Sequence, residues 1–595
     1  MQSKSGRIEA LAEFLLSLLP VIGILWVVGL PQLLGTTWLD GQILPLCIGI
    51  GTAAALLRRP YTAEAGAFDI CLGLIAIGCW TWSAINYDAW LTDFAQRSVS
   101  QWLPGVLALI LMLEAMRKVC GLSITILVWV FVAYAMFGDK LGGTLAAAPQ
   151  SPPEIVLYLY ADSQGVPGFI VRVVVTLVLA FVVLGNLMER SGATKFFTDV
   201  AMRLMAHRRG GAAKVSVVAS SAFGMVSGST VGNVMSTGLV TIPLMKRSGF
   251  PAPIAAAIEA VASNGGQLAP PVMGATAFLI AEFLQISYVD VVVAAIVPAL
   301  LYFVVLFVQI DTIAKNLGLT GSQERDVPLL AVLLRDNWPL VIPIAVLFVL
   351  LFAFELNAAR AALAAAGLLF GLSAIRDKRV LAPRRIGAIL SGSGRNILPI
   401  LLIGAGAGVV VGVLNSTGLG FQLSITLAEL GQSFGLFTML LLTAALSILL
   451  GMGMPTAAVY LVLSVVLAPA LVEFGVEPLA AHMFLFYFGV LSMLTPPVAV
   501  ASFVAAGLAE ANFWHTSVIA VKLAAVAYVI PFLWIYNSAI ILNGSIASIS
   551  IAVGLALAAS ILLARGLAAS AENRGLGLAQ VGCAAGIGLL IVWIG

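Results

Sequence analysis

The 595-residue chain is short of charge. Asp, Glu, Lys and Arg together make 10% of it, while 61% is hydrophobic and the mean hydropathy is +1.08. A water-soluble domain carries about 25% charged residues. So little polar surface excludes a soluble enzyme and a nucleic-acid binder. No polar stretch is long enough to fold as an ectodomain, which excludes a single-pass receptor. Cysteine is scarce too: Cys47, Cys71, Cys79, Cys120 and Cys583 lie in apolar segments and form no CxxC pair. They read as small packing residues. Three scattered histidines, His207, His482 and His515, are too few for a haem or a histidine-based metal centre.

What is there is a series of long apolar runs. A membrane-spanning helix needs about 20 apolar residues, so the length allows up to about 16 membrane elements. A membrane barrel would alternate apolar and polar residues in segments of about 10. These runs do not alternate, so the expected fold is an all-α polytopic membrane bundle. Lys4 and Arg7 precede an apolar stretch that runs past Leu30, too long for a signal-peptide core, and it reads as a retained first helix.

The few basic residues orient the chain, because Lys and Arg collect in cytoplasmic loops. Helices are expected at 11–33, 43–57, 68–87, 102–116, 120–137 and 169–189. The loops between them alternate: Arg58-Arg59, Arg117-Lys118 and the cluster Arg190, Lys195, Arg203, Arg208, Arg209 fall on one side. Only Arg97, Lys140, Arg172 and Arg360 fall near the other. This implies a cytoplasmic N-terminus.

An internal repeat appears at a constant offset of 226 residues. Thr230 matches Thr456, Pro243 matches Pro469, Gly249 matches Gly475, and Pro270-Pro271-Val272 matches Pro496-Pro497-Val498. Prolines and glycines at one offset mark shared backbone breaks. Loop 190–211 of the first copy carries five Lys/Arg, whereas 416–437 carries none, and no Lys or Arg occurs between Arg395 and Lys522. The copies are therefore expected to be inverted. Inverted repeats with broken helices are the architecture of secondary transporters, with sites near the midplane.

Each copy holds two kinds of break. Residues 212–245 and 434–472 read as re-entrant hairpins, with tips at Gly224–Asn233 and Gly451–Thr456. Interrupted helices follow, broken at Asn264–Pro271 and Leu491–Pro497. A Pro-Pro pair removes two backbone donors and frees carbonyls upstream. Freed carbonyls with Ser, Thr and Asn oxygens suit a small hard cation such as Na⁺. Half-helix N-termini suit a carboxylate. No basic residue lies at the breaks, so an anion is expected to rest on backbone dipoles and on Ser229, Thr230, Asn233, Gln267, Thr456, Ser492 and Thr495. Glu259, Glu282 and His482 lie in the half-helices. An ionisable group at membrane depth is a functional candidate, and Glu259 is the candidate if the coupling ion is H⁺. Ser227 does not sit in a GxSxG tip and no supporting histidine pattern accompanies it, so no hydrolase is expected.

The tip Ser227-Gly228-Ser229-Thr230, the break Asn264-Gly265-Gly266 with Pro270-Pro271, the tip Gly451-Met452-Gly453-Met454-Pro455-Thr456 and the break Thr495-Pro496-Pro497 resemble the large membrane subunit of tripartite ATP-independent periplasmic (TRAP) transporters, over roughly residues 120–543. The helices before them look like the small membrane subunit fused in front, an arrangement most similar to the TAXI branch. The resemblance implies an elevator-type transporter of the inner membrane and a periplasmic substrate-binding protein as partner. It implies a gradient of Na⁺ and an organic-acid substrate, such as the C4–C5 dicarboxylate 2-oxoglutarate, or glutamate. Carried over to this chain, the cation sites would be Ser227, Gly228, Asn264, Gly265 and Pro270, and Gly451, Gly453, Thr456, Leu494 and Pro496. A carrier of related fold that needs no binding protein is the alternative. The expected organisation is a small-subunit-like scaffold over 1–118, repeat one over 119–327, repeat two over 328–543, and two extra C-terminal helices in 544–595.

Overall fold

The computed structural model describes residues 4–62, 65–92, 98–143, 146–270, 272–274, 276–321, 328–569 and 574–594. Arg97, Pro271 and Glu572 lie outside them. The described residues are helical with no strand, and eleven helices among them are long and apolar enough to cross a membrane.

Local chemistry sets where helices stop. The first one runs over Lys4–Val28 and not to residue 33, because Gly29 takes a left-handed conformation (φ 78°) before a short turn, Leu30–Leu33. Gly121 (φ 95°) separates Val99–Cys120 from Leu122–Phe137. The segment 138–168, read above as a loop, contains a helix at Pro152–Ala161. Its start is a capping arrangement: two prolines open the first turn and the Glu154 carboxylate accepts the Ser151 N–H at 2.7 Å.

The chain forms two compact units. One comprises Met1–Leu187 with Pro343–Phe434, the other Met188–Ile342 with Gly435–Gly595. In the first, Lys4–Val28 packs on Asp40–Arg58 and on the long helix Pro383–Thr417. Gly394 makes this contact close, since a Cβ there would run into the Leu16 carbonyl. The second unit holds every break predicted above. Its elements are α1 (Gly211–Ser227), α2 (Thr230–Arg247), α3 (Ala252–Gly266), α4 (Thr276–Leu284), α5 (Gly435–Gly451), α6 (Thr456–Val466), α7 (Pro478–Leu491) and α8 (Val500–Ala509). The C-terminal helices Ile546–Leu567 and Arg574–Ile594 pack on each other and also belong to this unit.

The second half-helices start later than the breaks at Asn264–Pro271 and Leu491–Pro497 suggest, at Thr276 and at Val500. Met273 (φ 54°), Gly274 (φ 60°) and Ala499 (φ 38°) are left-handed, so helical geometry begins only beyond them. Helix α6 also ends early, at Val466. Pro469 lies beyond it and opens a separate turn, Ala468–Glu473. Within the unit the breaks interlock. The first half-helix α3 of copy one packs on α8, the second half of copy two, while α4 packs on α6 and α7.

Candidate functional site

The first site joins the α1–α2 tip to the α3 break. Two glycines let the backbones touch: a Cβ added to Gly224 would stand 3.1 Å from the Gly266 Cα. Hydrogen bonds then sew the two segments. Gly274 N–H donates to the Met225 carbonyl at 3.0 Å and Gln267 Nε2 to the Gly224 carbonyl at 3.1 Å. Thr230 Oγ1 lies 3.4 Å from Asn264 Oδ1. Asn233 Nδ2 donates to the carbonyls of Ser220 (2.6 Å) and Ser263 (3.4 Å). Ser229 caps α2, accepting from Gly232 N–H at 3.1 Å.

Three polar atoms at this junction are buried and have no hydrogen-bond partner among the described residues: Ser227 Oγ, Gln267 Oε1 and Asn264 Nδ2. A buried polar group without a partner costs about 1–3 kcal/mol. Two oxygens that can accept and one N–H that can donate, beside Gly228, Gly265 and Pro270, form a donor set suited to a small cation and a carboxylate together.

The second site joins the α5–α6 tip to the α7 break. Gly451 is the close-approach residue here, since a Cβ on it would stand 2.7 Å from Ser492 Oγ. Ser492 Oγ donates to the Gly489 carbonyl at 2.6 Å. Thr495 Oγ1 donates to the Leu491 carbonyl at 2.7 Å and pairs with the Tyr528 hydroxyl at 2.8 Å. Gly453 is left-handed (φ 80°), and Thr456, buried, is the first residue of α6 after Pro455. Leu494 is buried and Pro496 half-buried in the turn that follows α7.

Glu259 lies on α3, fully buried. Its Oε1 accepts from Ser220 (2.8 Å), Thr237 (2.7 Å) and Ser263 (3.0 Å). Its Oε2 accepts from Ser216 (2.7 Å) and Thr241 (2.5 Å). These five hydroxyls come from α1, α2 and α3, so one carboxyl group fastens both hairpin arms to the broken helix. Gly238 makes room for it, its would-be Cβ lying 3.2 Å from Glu259 Cγ. His482 on α7 is buried against α6, with Nδ1 2.6 Å from the Tyr460 hydroxyl. Glu282 is half-buried on α4.

Residues 107–549 match the family model described as "Tripartite ATP-independent periplasmic transporter, DctM component". This chain belongs to that family. It is a transporter permease, not an enzyme, and a polytopic membrane protein. Permeases of the family carry small organic acids and work with a periplasmic substrate-binding protein. Among its relatives is the C4-dicarboxylate TRAP transporter large permease protein DctM of Pseudomonas aeruginosa, 27% identical over 54% of this chain and 75% of that protein. The 2,3-diketo-L-gulonate TRAP transporter large permease protein YiaN of Escherichia coli is 25% identical over 56% and 77%. The isethionate TRAP transporter permease protein DctMQ of Oleidesulfovibrio alaskensis is 25% identical over 60% and 56%. Among solved structures, the Alcanivorax borkumensis YdaH transporter aligns with TM-score 0.47 and 15% identity over 70% of this chain and 98% of that one.

In this TRAP permease the expected site residues fall into two junctions: Ser227–Asn233 with Asn264–Pro270, and Gly451–Thr456 with Ser492–Pro496. Asn233, Ser229, Ser492 and Thr495 spend their polar atoms on neighbouring backbone or side chains, whereas Ser227, Asn264 and Gln267 keep one each unspent. Sequence reasoning missed Ser216, Ser220, Thr237, Thr241 and Ser263 as a group, along with Tyr460 and Tyr528. The i,i+4 spacing of Ser216/Ser220, Thr237/Thr241 and Glu259/Ser263 was the available signal, since it puts each pair on one helix face.

Proposed function

We propose that the chain imports a small organic acid across the inner membrane, a C4–C5 dicarboxylate such as 2-oxoglutarate, or glutamate. It receives the acid from a periplasmic binding protein. Uptake is driven by an ion gradient, with Na⁺ as the first candidate and H⁺ as the alternative. The N-terminus is cytoplasmic and the hairpins are re-entrant, one from each face. The unit with both junctions moves as an elevator, and residues 1–118 act as a fused small subunit of the TAXI type.

The observation that carries this reading is the first junction. Its unspent atoms, Ser227 Oγ, Gln267 Oε1 and Asn264 Nδ2, sit where a broken helix meets a hairpin tip. Hydroxyls, an amide and freed carbonyls serve the cation, while half-helix N-termini serve the substrate carboxylate without a basic side chain. The names of the relatives, C4-dicarboxylate and isethionate among them, support a small organic anion.

The test is uptake of labelled acid by cells that express the chain with its binding protein. Thr230→Ala and Pro270→Ala proteins that reach the membrane are expected to lose uptake. Full uptake by both would remove the site from the proposal.

A further inference from the structure

Glu259 is the sharpest departure from the repeat. The offset of 226 residues holds on both sides of it, from Thr230/Thr456 through Gly249/Gly475 to Pro270/Pro496. Inside those limits Thr237, Thr241, Glu259 and Ser263 fall on Leu463, Leu467, Leu485 and Gly489. Leu463 and Leu485 are fully buried between α6 and α7, where Thr237 and Glu259 sit between α2 and α3. Copy two carries no polar side chain at these four positions, and Leu467 lies just past the end of α6, whereas Thr241 lies inside α2. Of the two copies, only the first carries an acid here.

No basic side chain among the described residues bonds to Glu259. On α1, Lys214 pairs with Asp311 at 2.8 Å. On α2, Lys246 donates to the Ala509 carbonyl at 2.9 Å, and Arg247 is exposed at the helix end. Helix α8 has no ionisable residue and is followed by Glu510. Helix Phe513–Leu523 carries His515 and Lys522, neither bonded to Glu259. Helix Tyr288–Asn316 presents Tyr302, whose hydroxyl donates to the Val261 carbonyl at 2.7 Å. Its Tyr288, Asp290, Asp311 and Lys315 do not bond to Glu259 either. Such a carboxyl at membrane depth either stays ionised on hydroxyl donors or takes up a proton.

The cage is built to hold both forms. Thr241 Oγ1 already has a second acceptor, the Thr237 carbonyl at 3.1 Å, and Thr237 Oγ1 has the Asn233 carbonyl at 2.8 Å. When a proton from water adds to Glu259 Oε2, the Thr241 hydroxyl turns its hydrogen fully to that carbonyl. Its oxygen then accepts the new carboxylic O–H. No donor is stranded and no heavy atom has to move far.

We propose that Glu259 is a proton-binding site, one per chain and in copy one only, whose proton travels with the transport cycle. Its place in transport rests on the organic-acid reading above; its protonation does not. A protonated Glu259 would leave hairpin α1–α2 joined to α3 through an uncharged carboxyl while that unit crosses the apolar layer.

Two measurements separate these parts. In the first, the full-length protein in lipid nanodiscs is titrated with pH and followed by infrared difference spectroscopy. The wild type is expected to show a protonated-carboxyl band that titrates and is lost in Glu259→Gln. A spectrum unchanged by Glu259→Gln overturns the site. If that variant does not fold, Thr241→Val serves: removing a hydrogen-bond partner of the carboxyl must shift the frequency of that band, and an unshifted band overturns the site equally. In the second, proteoliposomes with the cognate binding protein are given labelled succinate, 2-oxoglutarate or glutamate. Glu259→Gln is expected to lose accumulation driven by a pH gradient while retaining counterflow exchange. Accumulation at the wild-type level overturns the coupling. If the wild type takes up none of the three acids under any gradient, the organic-acid reading fails, and the infrared result alone decides the proton site.

Discussion

Gly266 faces Gly224 so closely that a methyl group on Gly266 would stand 2.9 Å from the Gly224 Cα. That spacing holds the hairpin tip against the broken helix. Gly266→Ala must push the two backbones apart, and overpacking of this kind costs about 1–3 kcal/mol. The purified protein is expected to unfold at a lower temperature and to lose uptake. Unchanged values for both would mean that the contact is not needed.

Ser227 and Asn233 lie on the same tip but are predicted to separate function from stability. Ser227 Oγ bonds to nothing among the described residues, so Ser227→Ala removes an unpartnered buried group and is expected not to destabilise the ion-free protein. If that oxygen holds the coupling ion, the loss is worth about 1.5–3 kcal/mol, or tenfold or more in ion affinity. Asn233→Ala instead strips a donor from the buried Ser220 and Ser263 carbonyls. It is expected to destabilise by about 1–3 kcal/mol. Thermal unfolding and the ion dependence of uptake, measured on both variants, check the contrast.

Replacing Glu259 by the residue its repeat counterpart carries tests the cage. Glu259→Leu takes the acceptor from five hydroxyls at once. Thr237 and Thr241 keep helix carbonyls as acceptors, but Ser216 has no other acceptor among the described residues, at about 1–3 kcal/mol for a stranded group. Glu259→Gln retains an acceptor oxygen and should unfold nearer the wild type. The order expected in a melting experiment is wild type, then Gln, then Leu. A leucine variant as stable as wild type contradicts the cage.

The membrane class, the repeat and all four breaks were legible in the sequence, because glycine, proline and missing charge act locally. Glu259 was also legible as an isolated acid in an apolar run. Its cage was not: Ser216 and Ser220 reach it from 43 and 39 residues away, and only the packing of α1 on α3 brings them together. The late start of α8 had no residue signal, since Ala499 is left-handed without being glycine, whereas Gly274 beside Met273 was the available signal for α4. The helix at Pro152–Ala161 was hidden because its prolines read as loop, although two prolines just inside a Ser151/Glu154 cap mark a helix start.

The most direct test of the proposed function is accumulation of labelled 2-oxoglutarate, succinate and glutamate in proteoliposomes holding only this chain. The purified cognate binding protein is present or absent, and a Na⁺ or pH gradient is imposed or withheld. The proposal predicts that at least one acid accumulates only when binding protein and gradient are both present, and that Ser227→Ala lowers that uptake. Equal accumulation without the binding protein or without a gradient, or none of the three acids under any condition, would contradict it.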